Sequence, residues 1–189
     1  MSKDTKYFIC ASGASLTQED VNYIKGKGTL IVINNVFKLA PFANILYACD
    51  VVWWEAYKPD LKDWKGRKIS IFYDKEGCEL YPHNISLNGL GEKVIHTGGN
   101  SGFQAINLAY LLGAKEIILL GYDMKVTNGL RHFHGQHKRG LRNNDAYGMW
   151  INHMKILASD LKEKGVKVIN CTRSTALKCF EQRELEEIC

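Results

Sequence analysis

The fold is decided by one stretch: Thr97-Gly98-Gly99-Asn100-Ser101-Gly102, an apolar run to Leu112, Glu116-Ile117-Ile118-Leu119-Leu120-Gly121-Tyr122-Asp123, and then His132-Phe133-His134-Gly135-Gln136-His137. Three glycines in six residues ahead of a helical pattern let a ligand approach the backbone, and the free N–H groups at a helix start favour an anion. The run from Ile117 to Leu120 is apolar on both faces, as in a parallel strand covered by helices on both sides. Such sheets bind ligands at their carboxyl ends, which is where Asp123 and the histidines would lie.

The chain on either side continues the alternation. Strands are predicted over 7–11, 29–34, 45–49, 68–73, 93–96, 116–121 and 166–170, the last of these ending the sheet. Thr17 is placed to cap a helix running to about Lys25, with Asp20 three residues on in an imperfect capping box. A helix should start near Val51. Helices over 101–112 and 146–164 are each stopped by a glycine, Gly113 and Gly165. The segment 74–91 reads as irregular. Strands alternating with helices indicate a Rossmann-like, doubly wound, mostly parallel α/β sheet with helices on both faces, built as one domain over 1–189.

The bulk properties agree with an ordinary globular enzyme-sized chain. Its 189 residues can bury roughly two thirds of their unfolded surface. Hydrophobic residues make up 46% and charged residues 24%, with 3 prolines, a balance that excludes disordered and fibrous classes. The polar start and the lack of any apolar run near 18 residues predict a cytoplasmic protein with no membrane contact. Six cysteines without paired short spacing predict reduced core thiols. The net charge of +5 is uneven: Lys125, Arg131, Lys138, Arg139 and Arg142 lie in a segment, 124–144, that has no carboxylate. Such a loop attracts a phosphate-bearing ligand or nucleic acid, or is simply solvated.

Candidate site residues cluster at strand ends. Gly13 and Ser15, after the first strand, form either a ligand-contacting turn or a tight bend, and the spacing of a dinucleotide fingerprint is absent. Asn34 and Asn35 can offer amides to a base edge or sugar hydroxyl, although asparagine also suits turns. Gly98, Gly99, Asn100, Ser101 and Gly102 are the strongest candidates, with Ser101 either capping the helix or holding a ligand oxygen. His132, His134 and His137 suit general acid/base chemistry or phosphate contact, a transition metal, or no role. Flanking cations make the metal the less favoured of these, so no tightly bound metal is expected. Trp53, Trp54, Tyr57 and Trp64 offer a stacking platform or a core cluster. His153 falls on the apolar side of its helix and reads as core.

The Gly13-Ala14-Ser15-Leu16 turn, Asn34-Asn35, Ser101-Gly102, Gly121-Tyr122-Asp123 and the Cys171-Thr172-Arg173-Ser174 that follows the last predicted strand together resemble the bacterial sialyltransferase-like superfamily. That group includes CMP-sialic-acid-dependent transferases and MptE-like 6-hydroxymethylpterin diphosphokinase relatives. The chain also looks like small single-domain proteins of phage genomes that share the Thr-Gly-Gly-Asn-Ser-Gly and His-x-His-Gly-x-His strings. The resemblance implies a pocket for a nucleotide sugar or nucleotide diphosphate at Gly13, Asn34, Asn35, Ser101 and Gly102, and a base at His134 or His137.

On this reading the chain is a glycosyltransferase-like enzyme moving a group from a nucleotide-activated donor to a hydroxyl. Arg131, Lys138 or Arg139 would stabilise the departing phosphate. The acceptor is open, nucleic acid included, and an oligomer is possible. The alternatives are pyrophosphoryl transfer with Mg²⁺ on Asp123 and Asp50, and a non-catalytic module that binds a nucleotide or host factor.

Overall fold

A computed structural model describes residues 5–85, 88–135, 141 and 145–188. The elements run β1 (Lys6–Cys10), α1 (Gln18–Tyr23), β2 (Thr29–Ile33), a 3-10 turn at Asn34–Lys38, β3 (Ile45–Tyr47), α2 (Val51–Tyr57) and β4 (Arg67–Ser70). They continue with β5 (Cys78–Leu80), β6 (His83–Asn84), β7 (Ile95–His96), α3 (Ser101–Leu111), β8 (Glu116–Leu120), α4 (Tyr147–Glu163), β9 (Lys167–Asn170) and β10 (Glu181–Gln182).

Eight strands form one parallel sheet in the order β10-β9-β8-β1-β2-β3-β4-β5, and β6 and β7 form a separate parallel pair. The fold is therefore Rossmann-like α/β. From β1 the chain builds outward through β2 to β5, then crosses back through β7 and α3 to place β8 on the other side of β1. The sheet thus reverses direction between β1 and β8, where an open parallel sheet leaves a crevice above its carboxyl edge.

The strand residues alternate between two cores. Tyr7, Ile9, Ile31, Ile33, Ile117 and Leu119 pack with Phe103 and Ile106 of α3 and Leu157 and Leu161 of α4. Phe8, Cys10, Leu30, Val32, Ile118 and Leu120 pack on the opposite face with Val21 of α1, Ile24 just past its end and Trp53 of α2. Both faces being buried explains why these strands read as continuous apolar runs. The Thr17 cap is complete: its hydroxyl accepts from Asp20 N–H, and the Asp20 carboxylate accepts from Thr17 N–H. Arg173, from the segment after β9, pairs with the same Asp20 at 2.6 Å.

Three expectations are corrected. The stretch 74–91 contributes the edge strand β5, β9 is followed by the further strand β10, and the strand expected over 93–96 joins β6 and not the main sheet. Each of the missed strands is two or three residues long, too short to carry a period-2 pattern.

Candidate active site

The ends of β1, β2, β3 and β8 and the first turn of α3 enclose a cavity of about 620 Å³ at the crevice. Two glycine turns face it, and they are built differently.

In the turn after β1, Gly13 donates its N–H to the Gly121 carbonyl at 2.9 Å, joining the ends of β1 and β8. A Cβ on Gly13 would lie 2.2 Å from Asp123 Oδ1, so only glycine admits the Asp123 carboxylate here. That carboxylate, 2% exposed, accepts from Ser15 N–H (3.0 Å), Ser15 Oγ–H (2.6 Å) and Thr127 Oγ1–H (2.8 Å). Asp123 is thus a brace tying two loops together while lining the cavity wall, a structural role beside the catalytic or Mg²⁺-holding one expected of it. Ser15 spends its hydroxyl hydrogen on the same brace.

The 97–102 turn is held from behind and open in front. His153 Nδ1 donates to the Gly98 carbonyl at 2.9 Å, which moves His153 from its expected core role to that of a support for this turn. Gln104 links the Tyr47 hydroxyl (2.9 Å) to the Thr97 carbonyl (2.9 Å), and the Tyr122 hydroxyl donates to the Gly102 carbonyl at 3.0 Å. Gly98 has φ +52°, and a Cβ there would meet the Phe103 ring at 2.1 Å; Gly99, at φ +82°, has only ordinary contacts around it and is exposed. The helix cap is Asn100 and not Ser101, since Asn100 Oδ1 accepts from Phe103 N–H at 2.9 Å. The N–H groups of Ser101 and Gly102, in the first turn of α3, have no intrahelical acceptor.

Among the described residues, three cavity-lining side chains bury a polar atom that has no hydrogen-bond partner: Asn34 Oδ1, Asn100 Nδ2 and Trp150 Nε1. A buried polar atom left unpaired is costly, so such a cluster calls for a ligand or water. Asn34 also holds φ +50°, a left-handed conformation that turns its amide toward the cavity side of β2. Its neighbour Asn35 does the opposite. The Asn35 amide donates to Tyr57 Oη at 2.9 Å and accepts from Trp53 Nε1 at 2.8 Å, so Asn35 belongs to the core and leaves the candidate set. Trp53, Trp54 and Tyr57 are buried with it as an aromatic cluster of the core, with Trp53 also lining the cavity.

The histidine loop docks on the first turn. Phe133 N–H donates to the Ser12 carbonyl at 3.1 Å, and His132 Nδ1 lies 3.5 Å from Ser12 Oγ. His132 lines the cavity. His134 stacks on it, with ring centroids 5.1 Å apart and planes 4° from parallel, and is not part of the cavity wall. His137, Lys138 and Arg139 lie outside the described residues. Arg131 is on the cavity rim but is engaged by Asp145, one residue past the carboxylate-free stretch, at 2.8 and 2.6 Å. Those hydrogen bonds hold Asp145 below the usual carboxylate range, so Arg131 is half of an exposed ion pair and not a lone phosphate-stabilising cation.

Two more groups complete the wall. Burial raises the Asp50 carboxyl pKa above its ordinary value. Burial, and then the nearby Asp50 charge, push the Cys49 thiol up to about 12, which keeps it protonated and rules it out as a thiolate nucleophile near neutral pH. Among the described residues, no three His, Cys, Asp or Glu side chains gather as a cation site would require. No helix among them is long and apolar enough to cross a membrane. The chain matches no protein-family model and no curated protein.

Proposed function

We propose that this chain is a transferase of the glycosyltransferase type, binding a nucleotide-activated donor in the crevice and passing the activated group to a hydroxyl acceptor. One observation carries the reading: the cavity wall where α3 and α4 begin offers unpaired hydrogen-bond donors, Asn100 Nδ2 and Trp150 Nε1, and the wall at β2 offers an unpaired acceptor, Asn34 Oδ1. Phosphoryl oxygens accept only, whereas a sugar hydroxyl or base amine can donate to Asn34. A volume of about 620 Å³ falls in the range of small-molecule and cofactor sites, and its place at the carboxyl edge is where open parallel sheets bind nucleotides.

His132 is the base on this reading, being the described histidine that faces the cavity. It takes the proton of the acceptor hydroxyl as that oxygen attacks the donor's anomeric carbon. The bond from that carbon to the phosphate oxygen breaks, and its electron pair leaves with the nucleotide. The charge that develops there is met by the first-turn N–H groups of α3. Donors of this class occur inside cells, in keeping with the expected cytoplasmic location.

The test is calorimetric titration with a panel of nucleotides and nucleotide sugars, with and without Mg²⁺, followed by product analysis by mass spectrometry. A sugar nucleotide that binds without metal and loses its sugar to a hydroxyl acceptor is the expected result. Strict Mg²⁺ dependence with transfer of a diphosphate would replace this reading with pyrophosphoryl transfer. Tight binding without product on long incubation would make the protein a nucleotide-binding module.

A further inference from the structure

Helix α4 packs against the bend that precedes α3, and its first turns bring two groups to that bend. His153 grips the Gly98 carbonyl from behind. Trp150 lies beside Gly99, its Nε1 3.4 Å from where a Gly99 Cβ would stand, with the atom buried and no acceptor within reach. The Tyr147 ring meets the Trp150 indole edge-on, centroids 5.6 Å apart, and helps fix its plane. On the other side of Gly99, Asn100 has its carbonyl oxygen committed to the helix cap. That commitment fixes which way the amide points and leaves Nδ2, also buried, without a partner.

An indole N–H can only donate, and the Asn100 amide is held so that its N–H₂ faces the site. Both flank the first turn of an 11-residue helix whose leading N–H groups have no intrahelical acceptors. Donors from two helices meeting at one glycine, with no acceptor among them, match a group that offers several oxygen acceptors and carries negative charge.

We infer that Trp150 Nε1 and Asn100 Nδ2 are paired specificity contacts for a phosphoryl group seated on Gly99, so that α4 as well as α3 reads the phosphate. This rests on the donor-binding reading above and adds to it the residues that select a phosphorylated ligand over an uncharged nucleoside.

Three substitutions at two positions separate this selection from folding. Asn100→Asp keeps an oxygen for the cap and replaces the amide donor with a negative charge, and Asn100→Ser also caps and carries no amide. Trp150→Phe keeps most of the ring and deletes the donor.

The probe is pyrophosphate, titrated into ¹⁵N-labelled full-length protein against sodium chloride at equal ionic strength. The Trp150 indole and Asn100 side-chain resonances should move saturably with pyrophosphate and not with chloride. Hydrogen bonds to a charged group imply about tenfold weaker pyrophosphate binding in Trp150→Phe and roughly 100-fold weaker binding in Asn100→Asp. The affinity of an uncharged nucleoside should change less than about twofold in each, a split that general damage to the cavity would not give.

Resonances as indifferent to pyrophosphate as to chloride, or variants that bind pyrophosphate like the parent, would overturn the inference. If no sugar nucleotide is turned over and pyrophosphate still moves both resonances, the inference stands and the transferase reading falls. If transfer occurs and neither resonance responds, the reverse holds.

Discussion

The two glycine turns at the mouth of the crevice look alike as sequence and differ in what their polar groups do. Around the β1 turn, Asp123 accepts from Ser15 twice and from Thr127 once, Gly13 bonds to Gly121, and Ser12 receives Phe133. Around the turn before α3, the backbone carbonyls are gripped by His153, Gln104 and Tyr122, while the Asn100 amide and the Trp150 indole N–H at the cavity wall are unpaired. Internal satisfaction marks a scaffold, whereas a rigid backing with an unsatisfied front marks a place prepared for a ligand. Two turns rich in glycine and serine therefore need not share a role.

The sharpest way to break this comparison is Asp123→Ala, which leaves three partly buried donors without their acceptor. Chemical denaturation should show a loss of about 4 kcal/mol. A variant as stable as the parent would mean that the brace is decorative. Next in size, His132→Ala should lower turnover by roughly 10² with donor affinity nearly unchanged. His134→Ala, which changes a ring outside the cavity wall, should leave turnover within about threefold of the parent; the reverse ranking would move the base to His134.

Gly99→Val acts on the other turn. It forces a β-branched residue to φ +82° and sets a side chain over the Trp150 indole nitrogen. It should cost about 1–2 kcal/mol of stability and reduce nucleotide affinity by about 30-fold, so that binding fails in a protein that remains folded. Smallest of all, Arg131→Gln should leave stability unchanged and alter donor affinity by less than about threefold, because Arg131 is already engaged by an exposed partner. A tenfold loss of affinity would return Arg131 to the binding set.

Much of the sheet was legible because buried parallel strands write themselves as apolar runs; the pattern at Ile117 to Leu120 and the capping signal at Thr17 led to the right elements. The short edge strands β5 and β10 had no such pattern. At the site, the glycines before α3 were legible, but their division of labour was not, since Gly98 faces Phe103 and Gly99 faces outward only once the helix is placed. Asn34 and Asn35 are adjacent in the sequence and point to opposite sides, a difference set by the left-handed backbone at Asn34.

Asp123 looked like a ligand because it ends a strand. The signal for its bracing role was Gly13, whose missing side chain makes room for that carboxylate. Trp150 was missed because a tryptophan on the apolar stripe of a helix reads as core, and its unpaired nitrogen becomes visible only against Gly99. The pairing of Arg131 was hidden by a carboxylate one residue beyond the basic stretch.

The most direct measurement is a crystal structure of the protein grown with a nucleoside diphosphate. The account predicts phosphoryl oxygens within hydrogen-bond distance of the 99–102 backbone, the Trp150 indole and the Asn100 amide, with the nucleoside reaching toward Asn34. A diphosphate bound over Ser12, Gly13 and Ser15, with the 99–102 turn untouched, would contradict it.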